Sequence, residues 1–152
     1  MSIKMKLEGF EDLLKDIEAA GGSMVKATES CMKQSAYTMQ NALKSEMLKA
    51  NVPADLVNGM PQFDVKTEGN HVEARVGYKK GNYDPENLSD GYKVVFLNYG
   101  TPRRSKHGKI KDVAEGGTIH LGFIQRAKST AKKQIKKQQR ETLDKIFERL
   151  KK

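Results

Sequence analysis

The chain has 152 residues, with 28 Lys or Arg against 19 Asp or Glu, so its formal net charge at pH 7 is +9. Leu, Ile, Val and Phe make up about a fifth of the residues, which predicts a thin core and some apolar surface buried against other subunits. No apolar run approaches the roughly 18 residues that span a bilayer, no secretory leader is recognisable, and Cys31 is the single cysteine, so we expect a cytoplasmic protein without an internal disulfide.

The first predicted elements are a short strand and a short helix. Ile3, Met5 and Leu7 alternate with polar residues, which is typical of a half-buried strand at a sheet edge. An amphipathic helix that ends before Gly21-Gly22 is then predicted by four apolar residues with helical spacing, namely Phe10, Leu13, Leu14 and Ile17.

A second, long helix is predicted from a cap at Ser23 to about Ala50. One face of it carries methionines and small or branched residues, namely Met24, Met32, Ala36, Met39, Leu43 and Met47. We interpret this face as core, with a peptide-binding groove as the alternative, since methionine suits both.

The middle of the chain predicts a loop, a hairpin and an ambiguous segment. Pro53, Gly59 and Pro61 indicate a loop. Residues 63–67 and 72–78 alternate around the turn residues Gly69-Asn70, so they predict a β-hairpin. Residues 79–91 are polar and predict a loop, whereas residues 92–99 fit either a buried strand or a short helix.

The last third of the chain holds most of the positive charge. Residues 1–100 contain 12 basic and 14 acidic side chains, and residues 101–152 contain 16 basic and 5 acidic ones. Glycines and basic residues predict a mobile loop at 102–118, followed by a basic terminal helix at 123–152. Ile135 is the only strong apolar residue between Lys132 and Arg140, so we expect that stretch to pack weakly or to meet a partner. The predicted fold class is α+β in a single domain, residues 1–152.

Patterns that indicate chemistry are missing from the sequence. The three histidines, His71, His107 and His120, are too far apart for a helical metal pair, and no serine lies in a nucleophile elbow. We therefore expect no catalytic residue, no cofactor, no metal and no enzymatic activity. Lys and Arg alone attract phosphates, so the alternative function is a nonspecific nucleic-acid-binding module that uses the basic last third of the chain and whose binding depends strongly on salt.

Two motifs within the predicted elements are distinctive. The first is an aromatic-Gly-Thr step at Tyr99 to Thr101, and the second is a Phe-Ile-x-Arg-Ala helix start at Phe123 to Ala127. Together with the order of the elements, they resemble the small neck proteins of long-tailed phages, which are the head-tail joining or tail-completion proteins.

The resemblance implies a structural α+β subunit of a ring, commonly six-fold, between the capsid connector and the tail. It implies contacts with other neck, connector and tail proteins, contact with DNA in the channel and no membrane. The protein would lie in the virion, at the neck or the head-proximal end of the tail, and in the host cytoplasm during assembly. The predicted partner interface comprises Tyr99, Gly100, Thr101, Arg103, Arg104, Phe123, Ile124 and Arg126.

Overall fold

A computed structural model of the chain describes residues 2–6, 24–69, 71–79, 81, 84, 86–100, 103–104, 110–111 and 120–150. In chain order, the elements within these ranges are β1 (Ser2–Lys6), α1 (Met24–Lys49), α2 (Ala54–Asn58), β2 (Asp64–Glu68), β3 (His71–Gly77), α3 (Asp90–Tyr99), β4 (Arg103–Arg104), β5 (Ile110–Lys111) and α4 (Phe123–Leu150). The α+β class is therefore confirmed. The helix predicted around residues 10–17 lies outside the described residues.

Three strands form an antiparallel sheet in the order β1-β3-β2. β2 and β3 are the arms of the predicted hairpin, and Gly69 at its turn has a φ of 59°, which glycine adopts without strain. β1 pairs with the other side of β3, with Ile3 opposite Val76 and Met5 opposite Ala74. The predicted edge strand and hairpin are thus confirmed, and they belong to one sheet.

The side chains of β3 alternate between two faces of the sheet. Val72, Ala74 and Val76 are buried, and Tyr78 continues this buried side just beyond the strand. The Tyr78 hydroxyl donates a hydrogen bond to the Leu56 carbonyl oxygen. Burial, followed by the nearby carboxylates of Asp90 and Asp55, raises the pKa of Tyr78 to about 12. The hydroxyl therefore keeps its proton, and with it this hydrogen bond, throughout the physiological range.

α1 packs against both the sheet and α4. The face that the sequence predicts as core is buried along its described length, at Met32, Ala36, Met39, Leu43 and Met47. The prediction of core is confirmed for these residues, since a binding groove would leave them accessible. Methionine is unbranched and flexible, so these side chains can fill the irregular gaps between α1, the sheet and α4.

The segment after α1 departs from the predicted loop. α1 ends at Lys49, and Asn51, two residues further on, has a φ of 53°, in the left-handed region that terminates helices. Pro53 then precedes the short helix α2, in which Leu56 and Val57 are buried. The prediction of a loop without helix was wrong here, because two apolar residues gain burial when the chain coils for one turn.

Both remaining helices are joined to the core by apolar residues. In α3, Gly91, Val94 and Asn98 are buried at helical spacing, which settles the ambiguity at residues 92–99 in favour of a helix. The predicted terminal helix is confirmed as α4. Its inner face is buried through five residues, namely Phe123, Ile124, Ala127, Ala131 and Ile135.

The middle of α4 packs more fully than its composition indicates. Ile135 is buried, and the two glutamines that follow it reach α1. The Thr38 hydroxyl donates to Gln138 Oε1 over 2.8 Å, and Gln139 Nε2 donates to the Ser35 hydroxyl oxygen over 3.3 Å. The expectation of weak packing is corrected for the inner side of this stretch, because amides take the place of apolar side chains.

The predicted loop at 102–118 contains a pair of very short strands. β4 and β5 pair antiparallel, with Arg103 opposite Lys111 and Arg104 opposite Ile110. The prediction of a loop alone is corrected at these four residues. The rest of 102–118, on which the prediction of mobility also depends, lies outside the described residues.

Candidate partner interface

In the folded chain, Asn98, the residue before the aromatic-Gly-Thr motif, contacts the Phe-Ile-x-Arg-Ala motif at the start of α4. This residue is fully buried near the end of α3. Its side-chain Oδ1 accepts a hydrogen bond from the Ile124 main-chain N–H over 2.9 Å, and its Nδ2 donates to Gln125 Oε1 over 3.2 Å. The main chain adds a third link, because the Gly122 N–H donates to the Asn98 carbonyl oxygen over 3.0 Å.

Asn98 acts as a cap for α4 from a different element. The first N–H groups of any α-helix lack partners within the helix, and a polar side chain usually supplies one from the preceding residues. In α4 that oxygen comes from α3 instead. The start of α4 is therefore fixed to the end of α3 by hydrogen bonds as well as by apolar packing.

A ring stack lies beside this junction. Tyr99 and His120 stack with their ring centroids 6.3 Å apart and their planes 18° from parallel. Next to them, the Leu121 N–H donates to the Leu97 carbonyl oxygen over 3.2 Å. The two ends of the segment 101–119 are consequently held together, although 20 positions separate the two rings in sequence.

Two predicted interface residues are placed at the entrance to that segment. Tyr99 keeps 47% of its surface exposed although it stacks on His120. Gly100 ends α3 with a φ of 73°, a conformation that side chains disfavour, so glycine suits the turn at this position. An exposed aromatic ring held in place is typical of residues that anchor protein interfaces.

The predicted arginines follow within the segment. Arg103 and Arg104 form β4, and their main chains pair with Lys111 and Ile110. One basic residue, Arg103, thus lies opposite another, Lys111, in this short ladder. Thr101 lies outside the described residues.

Phe123 and Ile124 are corrected from interface to core. Their exposed fractions are 0% and 3%, and both belong to the cluster that joins α4 to α1 and the sheet. Apolar side chains at a helix start are equally suited to a core and an interface, so the motif alone could not distinguish the two. In the folded subunit they leave no surface for a partner.

Arg126 is half-exposed and takes part in a small ionic network. Its Nε lies 3.0 Å from Glu46 Oε2, and its Nη1 donates to the Leu121 carbonyl oxygen over 2.6 Å. Glu46 also pairs with Lys49 Nζ at 2.7 Å. The hydrogen bond from Lys49, followed by that from Arg126, lowers the pKa of Glu46 below its ordinary value. Arg126 is thus held in place, with its guanidinium partly open to solvent.

The outward side of α4 is strongly basic. From Gly122 through Arg140 the sequence contains no Asp or Glu. Six exposed cations lie on this side, namely Lys128, Lys132, Lys133, Lys136, Lys137 and Arg140. Among the described residues, one of the six has an ionic partner: Lys137 Nζ lies 3.8 Å from Glu141 Oε1.

Sequence reasoning missed Asn98 and Glu46. A signal for Asn98 was present, because it is the one amide in the apolar run from Val94 to Tyr99. Glu46 likewise lies one residue before Met47, on a helix face otherwise read as apolar. In both cases the partner is distant in sequence, so periodicity alone could not identify it.

Two kinds of chemical group, metal ligands and the cysteine thiol, can be placed within the described ranges. No group of three or more His, Cys, Asp or Glu side chains there is placed to hold a metal ion. Cys31 is buried, and that burial raises the pKa of its thiol, which disfavours the nucleophilic thiolate. In the same part of the chain, no helix combines the length and apolarity needed to cross a bilayer.

Comparison with known proteins gives no relative for this chain. No protein-family model, no curated protein and no solved structure matches it.

Proposed function

We propose that this chain is a structural subunit of the neck of a long-tailed phage or prophage, where a ring of copies joins the capsid connector to the tail. One observation carries the proposal. The segments that carry the two motifs lie side by side, because the side chain of Asn98, the residue before the first motif, accepts a hydrogen bond from the Ile124 N–H of the second motif. If the two short motifs matched the neck proteins only by chance, nothing would require their segments to lie side by side in the fold.

The surface around this junction suits assembly. Tyr99 is exposed and held by its stack on His120, and Arg126 is half-exposed and held by Glu46. The interface we propose therefore comprises Tyr99, Gly100, Thr101, Arg103, Arg104 and Arg126. Copies that each present this surface to a different surface of the next copy form a ring when the rotation closes. On this proposal the protein is found in the virion, and in the host cytoplasm before assembly.

Deletion of the coding sequence from the phage or lysogen tests the proposal. We expect full heads and complete tails that remain separate in electron micrographs, with infectious yield restored by the wild-type chain supplied in trans. In complemented particles carrying a tagged chain, the label should lie at the neck. Normal yield of joined particles from the deletion strain, or purified particles that lack the protein, would overturn the proposal.

A further inference from the structure

The outward side of α4 presents an array of cations with no other evident role in the fold. Ala127, Ala131 and Ile135 are buried on the inner side, whereas the six cations from Lys128 to Arg140 are exposed. At 100° per residue, the six fall within roughly half of the helix circumference, and at 1.5 Å per residue they extend over about 18 Å.

This array is unfavourable for the isolated helix. Lys128 and Lys132, Lys132 and Lys136, Lys133 and Lys137, and Lys136 and Arg140 are like-charge pairs at i and i+4, and such pairs destabilise a helix. Glu141 offsets one of these charges over a long 3.8 Å contact. A bound polyanion would remove the repulsion, which favours a binding role for this surface.

The uncharged residues on the same surface indicate which class of partner binds there. Between Lys128 and Glu141 the exposed residues are Lys, Arg, Ser, Thr and Gln, together with Glu141 itself. No aromatic ring is exposed there to stack on the bases of a single strand. Between Lys128 and Glu141 no exposed apolar side chain is present to enter a membrane or to anchor a protein interface, since Ala131 and Ile135 are buried in the core.

We propose that this surface, residues 128–140 of α4, binds the phosphate backbone of duplex DNA without reading its sequence. Lysine ammonium groups contact phosphates as point charges and lack the planar fork that reads guanine edges. A straight row about 18 Å long suits several successive phosphates of a duplex. The inference goes beyond the proposed function, because it depends on this surface alone.

Fluorescence anisotropy with a labelled random-sequence duplex of about 20 base pairs tests the inference. If about four phosphates are neutralised, the slope of log K against log salt is about −4, and affinity falls on the order of 100-fold between about 25 and 100 mM salt. The variant K132Q/K133Q/K136Q/K137Q should flatten this slope by about 3 to 4, since each phosphate-binding lysine contributes about one unit.

Two further variants serve as controls. K26Q/K44Q/K66Q/K79Q removes the same charge from lysines of α1, β2 and the residues after β3, and it should retain the wild-type slope. K132R/K133R/K136R/K137R keeps the charge on α4 and should also bind, which separates loss of charge from loss of fold. Thermal melts of all variants check that the helix remains folded.

Three outcomes would overturn the inference. The first is an equal loss of duplex binding in the two Gln variants. The second is tighter binding of a single strand than of the duplex at equal salt. The third is no duplex binding at about 25 mM salt. The assay uses purified protein and free DNA, so it is independent of particle assembly. Failure here leaves the neck proposal standing, and failure of the deletion test leaves the DNA surface standing.

Discussion

Asn98 shows how one buried amide can join two helices. Both ends of its side chain have partners, with Ile124 and Gln125 on α4, and its carbonyl oxygen accepts from Gly122. A buried polar group is tolerated when it is satisfied and is costly when its partner is removed. The same residue therefore positions the start of α4 and the base of the segment 101–119.

Asn98→Ala should destabilise the protein by about 1–3 kcal/mol, because it leaves the buried Ile124 N–H without an acceptor. Urea unfolding at neutral pH measures the loss. Gln134→Ala is the control: it removes an exposed amide side chain from the same helix, α4, and should cost less than about 0.5 kcal/mol. Equal stability of Asn98→Ala and wild type would mean that the cap contributes nothing.

Glu46 makes the free energy of unfolding depend on pH. Lys49 and Arg126 lower its pKa in the folded state, so its contribution is present above the ordinary glutamate pKa of about 4.3 and is lost as pH falls through the lower folded value. Glu46→Gln should lower the denaturation midpoint at pH 7, and its difference from wild type should shrink below about pH 4.

Glu29→Gln is the comparison for that pH series. Glu29 pairs with Lys33 on a more open part of α1, with 34% of the glutamate side chain exposed. An exposed pair within a helix contributes little, so this variant should stay close to wild type across the series. A Glu46→Gln difference that persists unchanged at pH 3 would show that the lost interaction is not ionic.

At the scale of elements, α1 has one side in the core and another in solvent. Met39 is 5% exposed, whereas Tyr37, two positions away, is 59% exposed. Leu48 is also exposed, at 57%, and lies three helical turns from Tyr37 on the same side. The helix is thus buried where it meets the sheet and α4, yet it keeps large apolar side chains on its outer side.

Met39→Ala should cost about 2–5 kcal/mol, because it leaves a cavity among close-packed neighbours. Tyr37→Ala on the same helix should cost less than about 0.5 kcal/mol, since an exposed ring loses little on truncation. Chemical denaturation of the two variants side by side checks both values. A similar loss from Tyr37→Ala would indicate that the ring is packed in solution.

How far the fold was predictable also differs between elements. Periodicity was sufficient for α1, α4 and the hairpin, because a long repeat of 3.6 or 2 has few alternatives. It left α3 open, since a short apolar run fits a strand as well as a helix, and it missed α2, which spans a single turn. Of the interface predicted from the sequence, Tyr99 and Arg126 are exposed, whereas Phe123 and Ile124 are buried, because only tertiary packing decides which apolar residues are covered.

On the scale of the whole molecule, the core and the proposed interface occupy different parts of the chain. The core is formed by the sheet, α1, α2, α3 and the inner side of α4. The excess of positive charge lies in residues 101–152, largely on the outer side of α4 and in the segment that carries β4 and β5. Charge can therefore be altered there with little effect on the core, which makes the two roles separable by mutation.

Arg103→Glu together with Arg104→Glu should leave the melting temperature nearly unchanged and prevent heads and tails from joining, because the exchange reverses charge at the proposed contact. Complementation of the deletion strain, run beside a thermal melt, measures both effects. Arg103→Lys with Arg104→Lys keeps the charge and should retain part of the yield. Normal yield from the double Glu variant would remove β4 from the interface, and loss of both fold and yield would place these arginines in the core.

Tyr99 stacks on His120, and beside this stack the Leu121 N–H donates a hydrogen bond to the Leu97 carbonyl oxygen. These two contacts hold together the two ends of the segment 101–119. A loop whose ends are already held together adds only about 0.6 kcal/mol of closure entropy for each doubling of its length. Residues 101–119 can therefore lengthen, shorten or change composition without moving α3 relative to α4. On the neck proposal, variation in this segment would let a constant scaffold match partners of different shape, and we expect differences between similar subunits to concentrate there.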